Sequence, residues 1–142
     1  MIPTMFRCVL SLVLCTAPLA CGTSANPPQP MLDMTVPSSV LAVAESCRDV
    51  VFAAYRSRPA CVADGTCMSF YQSAQAKAVN AVNAATEAKA DALKELSGCA
   101  DWLARGVVTG VVFEPFASQA RVVCKQALAV GASRGEFCSS SF

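Results

Sequence analysis

The sequence predicts a small all-α domain of about three main helices, stapled by disulfides into a helical bundle. Apolar residues recur at spacings of three and four along several segments, which is the period of an amphipathic helix. The longest stretch without proline is rich in alanine, the best helix-forming residue. Beyond residue 36 the chain has six cysteines, an even number that can close disulfides without leaving a thiol over.

Residues 1–25 are predicted to be an export signal rather than part of the fold. Arg7 supplies one positive charge before the almost wholly apolar stretch 8–20, and small residues follow. The apolar stretch is too short to span a bilayer. The domain is therefore expected in an exported protein.

Two processing sites fit this signal. Residues 23–25, Thr-Ser-Ala, offer small side chains to a signal peptidase. Residues 19–22, Leu-Ala-Cys-Gly, resemble the bacterial lipoprotein box, although Pro18 stands where that pattern usually has leucine. This resemblance implies that Cys21 is the lipidation candidate. The expected location is the outer face of a membrane if Cys21 is acylated, and secreted or periplasmic if the signal is simply cleaved.

Residues 26–35 are predicted to be a proline-rich tether. Pro27, Pro28 and Pro30 fix the backbone φ angle and remove amide donors, which favours an extended conformation. The folded domain is then expected over residues 36–142. A chain of that length can bury a single core, which disulfides would supplement.

The first helix is predicted from Ser38 to about Tyr55. Its apolar residues follow a helical stripe that includes Cys47, and charged residues occupy the opposite side. Pro59 requires the helix to end before it.

The second helix is predicted as one continuous element from Cys67 to Leu96. This segment has no proline and no internal glycine, and it carries an alanine seam that lets neighbouring helices approach closely. Ser97 and Gly98 are expected to end it, with the glycine in the left-handed conformation.

The segment from Cys99 to Phe113 gives conflicting signals. Its β-branched residues could form two short strands around Thr109 and Gly110, but isolated strands of that length are marginal, so we predict helical or irregular structure. A third helix is predicted from Glu114 to about Gly131, with Cys124 facing inward. The following tail is expected to be tied down by its own cysteine.

Six cysteines are the disulfide candidates of the domain. The spacings contain no C-x-x-C pair and the chain has no histidine, so disulfides are favoured over a metal cluster. Six cysteines allow fifteen pairings, and the sequence does not choose among them. One pairing worth testing links Cys47 to Cys124 across the bundle. The candidates are Cys47, Cys61, Cys67, Cys99, Cys124 and Cys138.

Three groups of residues could in principle form a functional site. Glu87, Asp91 and Glu95 recur every four residues, which is more typical of a solvated helix face than of a cation site. The serines at 139–141 have no base to activate them. The aromatic residues Trp102, Phe113 and Phe116 could line a pocket or an interface, although core packing is the commoner role. The sequence therefore assigns no catalytic, cofactor-binding or metal residue.

Composition limits the function. Without histidine the chain cannot form a Ser-His or Cys-His pair, so we predict that it is not an enzyme. A net charge of +1 gives no basic surface for nucleic acid. The leading hypothesis is a non-enzymatic exported or envelope-anchored protein that acts by surface contact with an unknown protein partner, as an adaptor, inhibitor or structural lipoprotein. The alternative is a carrier of a small apolar ligand or lipid.

Overall fold

The computed structural model describes residues 36–142, which form four α-helices and one short 3-10 helix. No strand occurs in this part of the chain, so the predicted all-α class is confirmed. The export signal, the tether and Cys21 lie outside the described residues. The helices are α1 (Ser38–Arg56), α2 (Gly65–Thr86), α3 (Ala92–Val108) and α4 (Phe116–Ala129), with the 3-10 helix Pro59–Ala63 between α1 and α2.

Helix α1 matches its prediction within one residue at its end. Cys47 is fully buried on the apolar stripe, as the spacing indicated. The chain then turns at Ser57, before Pro59, and the 3-10 helix leads into α2. Asp64 caps α2, because its Oδ1 accepts hydrogen bonds from the amides of Thr66 and Cys67 at 2.9 and 3.0 Å.

The prediction of one helix from Cys67 to Leu96 is wrong, because the chain reverses after Thr86. Ala88 adopts a left-handed φ of 53°, and the amide of Lys89 donates to the carbonyl of Ala84 at 2.9 Å. These are the features of a Schellman motif. The reversal turns Leu96 back into the core, where it is fully buried, and this burial outweighs the local preference for a continuous helix.

Ser97 and Gly98, predicted to end a helix, lie inside α3. The segment that gave conflicting signals is helical as far as Val108, and no strand forms around Thr109 and Gly110. Helix α4 begins two residues after the predicted Glu114 and ends two residues before the predicted Gly131. The bundle therefore has four main helices where three were expected.

The core is built largely from alanine, the commonest of its buried residues, and Tyr71, Leu96 and Leu103 are its largest fully buried side chains. Small side chains let helix axes approach closely, but each removes little apolar area from water. The disulfide between Cys47 and Cys99, which joins α1 to α3, therefore reinforces a core whose side chains are small.

All six candidate cysteines form disulfides, so the prediction of three bridges is confirmed. Cys47 on α1 is joined to Cys99 on α3, and Cys61 in the 3-10 helix is joined to Cys67 at the start of α2. The suggested pairing of Cys47 with Cys124 is wrong. Cys124 is joined instead to Cys138, which ties the tail to α4, and the reversal after Thr86 brings Cys99 next to α1.

Asp101 holds the same tail against α3. Its Oδ1 accepts hydrogen bonds from the amides of Phe137 and Cys138 at 2.6 and 2.7 Å. A side chain on Gly135 would collide with the Asp101 carboxyl group, so glycine is required there for the tail to approach. The tail is thus fixed by a disulfide on one helix and by charge-assisted hydrogen bonds on another.

Helices α2 and α3 end in the same motif but with different residues in the left-handed position, which gives a matched test. Alanine occupies it after α2 as Ala88, and glycine occupies it after α3 as Gly110, with φ of 53° and 77°. Because a Cβ is unfavourable in this conformation by roughly 1 kcal/mol, Ala88→Gly should raise the free energy of unfolding by about that amount. Urea unfolding followed by circular dichroism measures it.

The control is Gly110→Ala, since a Cβ there would meet no atom within 4 Å and the change tests backbone conformation alone. We expect a loss of stability similar in size to the gain at Ala88. A destabilised Ala88→Gly variant would contradict the assignment of the left-handed residue in the α2–α3 turn.

Candidate functional site

One end of the bundle exposes three large apolar side chains. Here α1 and α3 finish and α2 and α4 begin. Val62, Val108 and Phe113 are 69%, 61% and 52% exposed, and they lie in the 3-10 helix, at the end of α3 and in the loop that follows it. We call these three residues the apolar end patch. Large apolar side chains grouped at one place on a surface are typical of contact sites.

Arg58 holds the loop that carries Phe113. Its Nη1 donates to the carbonyl of Val111 at 2.7 Å, and its guanidinium carbon lies 4.0 Å from the centre of the Phe113 ring. The Tyr71 hydroxyl lies 3.4 Å from the same carbonyl, and burial raises the pKa of Tyr71 against the opposing effect of the nearby Arg58 charge. The loop that carries Phe113 is therefore fixed by contacts with Arg58 and Tyr71.

A groove of about 510 Å³ runs between α2 and α3 towards the same end of the bundle. We call it the α2–α3 groove. Its volume is in the range of small-molecule sites. It combines aromatic and aliphatic side chains with hydroxyl groups and one cation. The lining residues are Gly65, Thr66, Ser69, Phe70, Ser73, Trp102, Arg105, Thr109 and Val111.

The wall of the groove is a pair of stacked aromatic rings. The rings of Phe70 and Trp102 have centroids 5.9 Å apart at an interplanar angle of 13°, and the indole Nε1 donates to the Phe70 carbonyl at 3.1 Å. Gly106 permits this approach, because a Cβ on it would collide with Cζ of Phe70. The two rings are thereby fixed in position by both helices.

Arg105 projects beside these rings. Its guanidinium carbon lies 4.6 Å from the centre of the Trp102 ring and 5.7 Å from that of Phe137, and Lys77 Nζ lies 5.3 Å from the Trp102 ring. Such distances are typical of cation–π contacts. The groove therefore has a positive edge.

Three aromatic residues are candidates for a pocket or an interface in the sequence. Trp102 lines the α2–α3 groove, Phe113 belongs to the apolar end patch, and Phe116 packs against the core. Sequence reasoning missed Arg58 and Arg105. The sequence contains both arginines, but only the folded chain shows which rings and carbonyl groups they contact.

The acidic run Glu87, Asp91 and Glu95 is not one helical face, because Glu87 follows the end of α2 whereas the other two lie at the start of α3. Glu87 forms an ion pair with Lys89, with 2.9 Å between Oε1 and Nζ, and the hydrogen bond between them raises the pKa of Lys89. Within residues 36–142 no group of three or more His, Cys, Asp or Glu side chains is arranged to hold a metal ion.

No protein-family model, curated protein or solved structure matches this chain. Among the helices of residues 36–142, none combines the length and the apolar character that crossing a membrane requires.

Proposed function

We propose that the protein is a non-enzymatic exported or envelope-anchored protein that acts by surface contact, and that the apolar end patch is where its protein partner binds. The observation that carries this proposal is the exposure of Val62, Val108 and Phe113 at the same end of the bundle. The other exposed large apolar side chains of residues 36–142 lie one each on α2, α3 and α4, as Val79, Leu93 and Val122. Burying such side chains against a partner is favourable by about 25 cal/mol per Å² of apolar surface. Arg58 beside Phe113 adds a residue type that is common at interface centres.

The alternative, a carrier of an apolar ligand or lipid, has less support from the geometry. A carrier has to enclose an acyl chain, whereas the α2–α3 groove is open to solvent and has hydroxyl groups and Arg105 along it. The alanine seams bring the helices close together instead of leaving a space between them. Surface contact is therefore the function that we favour.

Photo-crosslinking tests the proposal at single residues. A photoreactive amino acid placed at Phe113 in the native host should form a discrete crosslinked product with a partner protein, because this side chain lies at the centre of the proposed contact. The control position is Val122 on α4, which is equally exposed at 53% but lies outside the patch. Equal products from both positions, or none from Phe113, would contradict the proposed surface.

Anchoring is tested separately by Cys21→Ser. If Cys21 is acylated, the variant should move from the membrane fraction to the soluble exported fraction, because acyl chains and not the fold provide the attachment. Helicity measured by circular dichroism should stay unchanged. A mature chain with an unmodified amino terminus at Asn26, found by mass spectrometry, would instead indicate simple secretion.

A further inference from the structure

The α2–α3 groove contains a guanidinium group without an acceptor. Arg105 donates no side-chain hydrogen bond and forms no ion pair with any residue of 36–142, although it lines the groove and lies against two aromatic rings. We propose that this groove binds a small organic carboxylate whose charged group pairs with Arg105. This site adjoins the apolar end patch, because Thr109 and Val111 of its lining lie between Val108 and Phe113 in the chain, but the proposal rests on different observations.

The carboxylates adjacent to the groove are already used by the fold. Asp64 precedes the lining residue Gly65 and accepts from two amides at the start of α2. Asp101 precedes Trp102 and accepts from two amides of the tail. Both carboxylates therefore have partners of their own, and the lining of the groove itself contains no acidic residue.

Arg105 is exposed to solvent, and its side chain lies against two aromatic rings. Its flat guanidinium group lies near the faces of Trp102 and Phe137, and stacking of this kind leaves the N–H edge of arginine free for a planar acceptor. A carboxylate can accept two parallel hydrogen bonds from that edge. Little side-chain entropy is then lost on binding, since the rings already limit the motion of the arginine.

The rest of the lining favours an organic acid over an inorganic anion. Phe70 and Val111 offer apolar surface for a hydrocarbon body. Arg105 is the cation of the lining, and Lys77 lies outside the lining with its Nζ 5.3 Å from the Trp102 ring. The hydroxyls of Thr66, Ser69 and Ser73 make no hydrogen bond to other residues of 36–142, so they are available to a polar substituent. An apolar wall beside the lining cation matches an organic carboxylate better than a fully hydrated, doubly charged phosphate.

The only tryptophan of the chain lines this groove, so its signals report on the site directly. The purified, oxidised full chain is titrated with 3-phenylpropionate and with the uncharged 3-phenylpropanamide, while Trp102 fluorescence and the indole N–H cross-peak are recorded. We expect saturable changes with the carboxylate and an affinity for the amide that is about tenfold weaker, because the amide lacks the charge-assisted pair.

Arg105→Gln should weaken carboxylate binding about tenfold and leave the weak amide binding unchanged, since only the ion pair is lost. Arg121→Gln is the matched control. Arg121 lies on α4 outside the groove, near Phe142, and its replacement should change neither affinity. Circular dichroism of both variants checks that the fold is retained.

Four results would overturn the proposal, three of them with the organic ligands. Those three are the absence of saturable binding of 3-phenylpropionate, equal affinity for the acid and the amide, and an Arg105→Gln affinity that equals that of the unmodified chain. Inorganic phosphate or sulfate that reproduces the Trp102 changes with the same affinity would also overturn it, because the site would then select any oxyanion. The acid-to-amide comparison uses the unaltered chain and so does not depend on the folding of a variant.

Discussion

Replacing Cys47 and Cys99 together by alanine is expected to lower the free energy of unfolding by about 4 kcal/mol, the largest effect of any change considered. Their bridge closes a loop of 52 residues, and the chain-entropy contribution of a disulfide grows with loop length. It also joins α1 to α3 inside a core in which alanine predominates. Urea unfolding of the oxidised protein, followed by far-ultraviolet circular dichroism, measures the loss.

The matched control replaces Cys61 and Cys67 by alanine. That bridge spans a sequence separation of 6, so its loss should cost about 2 kcal/mol. A larger loss from this local bridge than from Cys47–Cys99 would show that entropy of the unfolded chain does not determine the order. Full reduction should abolish near-ultraviolet signals while α2, with its many alanines, keeps part of its helicity.

Gly106→Ala is expected to destabilise the domain by about 2 kcal/mol. A Cβ at this position would collide with Phe70 and lie 2.6 Å from Cγ2 of Val112. Phe70 cannot move away cheaply, because it is buried between Tyr71 and Trp102, with ring centroids 5.0 and 5.9 Å away. Overpacking of this kind costs about 1–3 kcal/mol and outweighs the gain in helix propensity.

Gly98→Ala provides the control on the same helix. A Cβ there would meet no atom within 4 Å, so only the helix propensity changes and stability should rise by up to about 1 kcal/mol. Opposite signs for the two glycines are the expected result of differential scanning calorimetry. Stabilisation at both positions would mean that α2 and α3 are not packed as closely as Phe70 and Gly106 indicate.

The helical class, the start of α1 and the participation of all six cysteines were predictable from the sequence, because local periodicity and cysteine number determine them. The turn after Thr86 was not. Glycine normally marks the left-handed residue that ends a helix, as Gly110 does, but here alanine occupies that position as Ala88. The gain from burying Leu96 and Cys99 comes from distant parts of the chain and leaves no local signal.

The candidate sites were predictable only in part. Trp102 and Phe113 stood out as aromatic residues near helix ends, but the sequence did not separate the one that lines a groove from the one that faces solvent. The disulfide pairing could not be derived, because it depends on the reversal that places Cys99 beside Cys47. An arginine such as Arg105 becomes a candidate only when its neighbours and its lack of an acceptor are known.

The order of the cysteines along the chain predicts a role for the Cys61–Cys67 disulfide in oxidative folding. Cys47 emerges 52 residues before its partner Cys99, and in that interval it is exposed to the thiols of Cys61 and Cys67. Ring closure favours the pair separated by 6 residues over a pair separated by 14, by about fourfold. We therefore expect the Cys61–Cys67 bridge to form early and to remove two thiols that compete for Cys47. The disulfide expected to add least to the free energy of unfolding would then favour the correct pairing of Cys47 with Cys99.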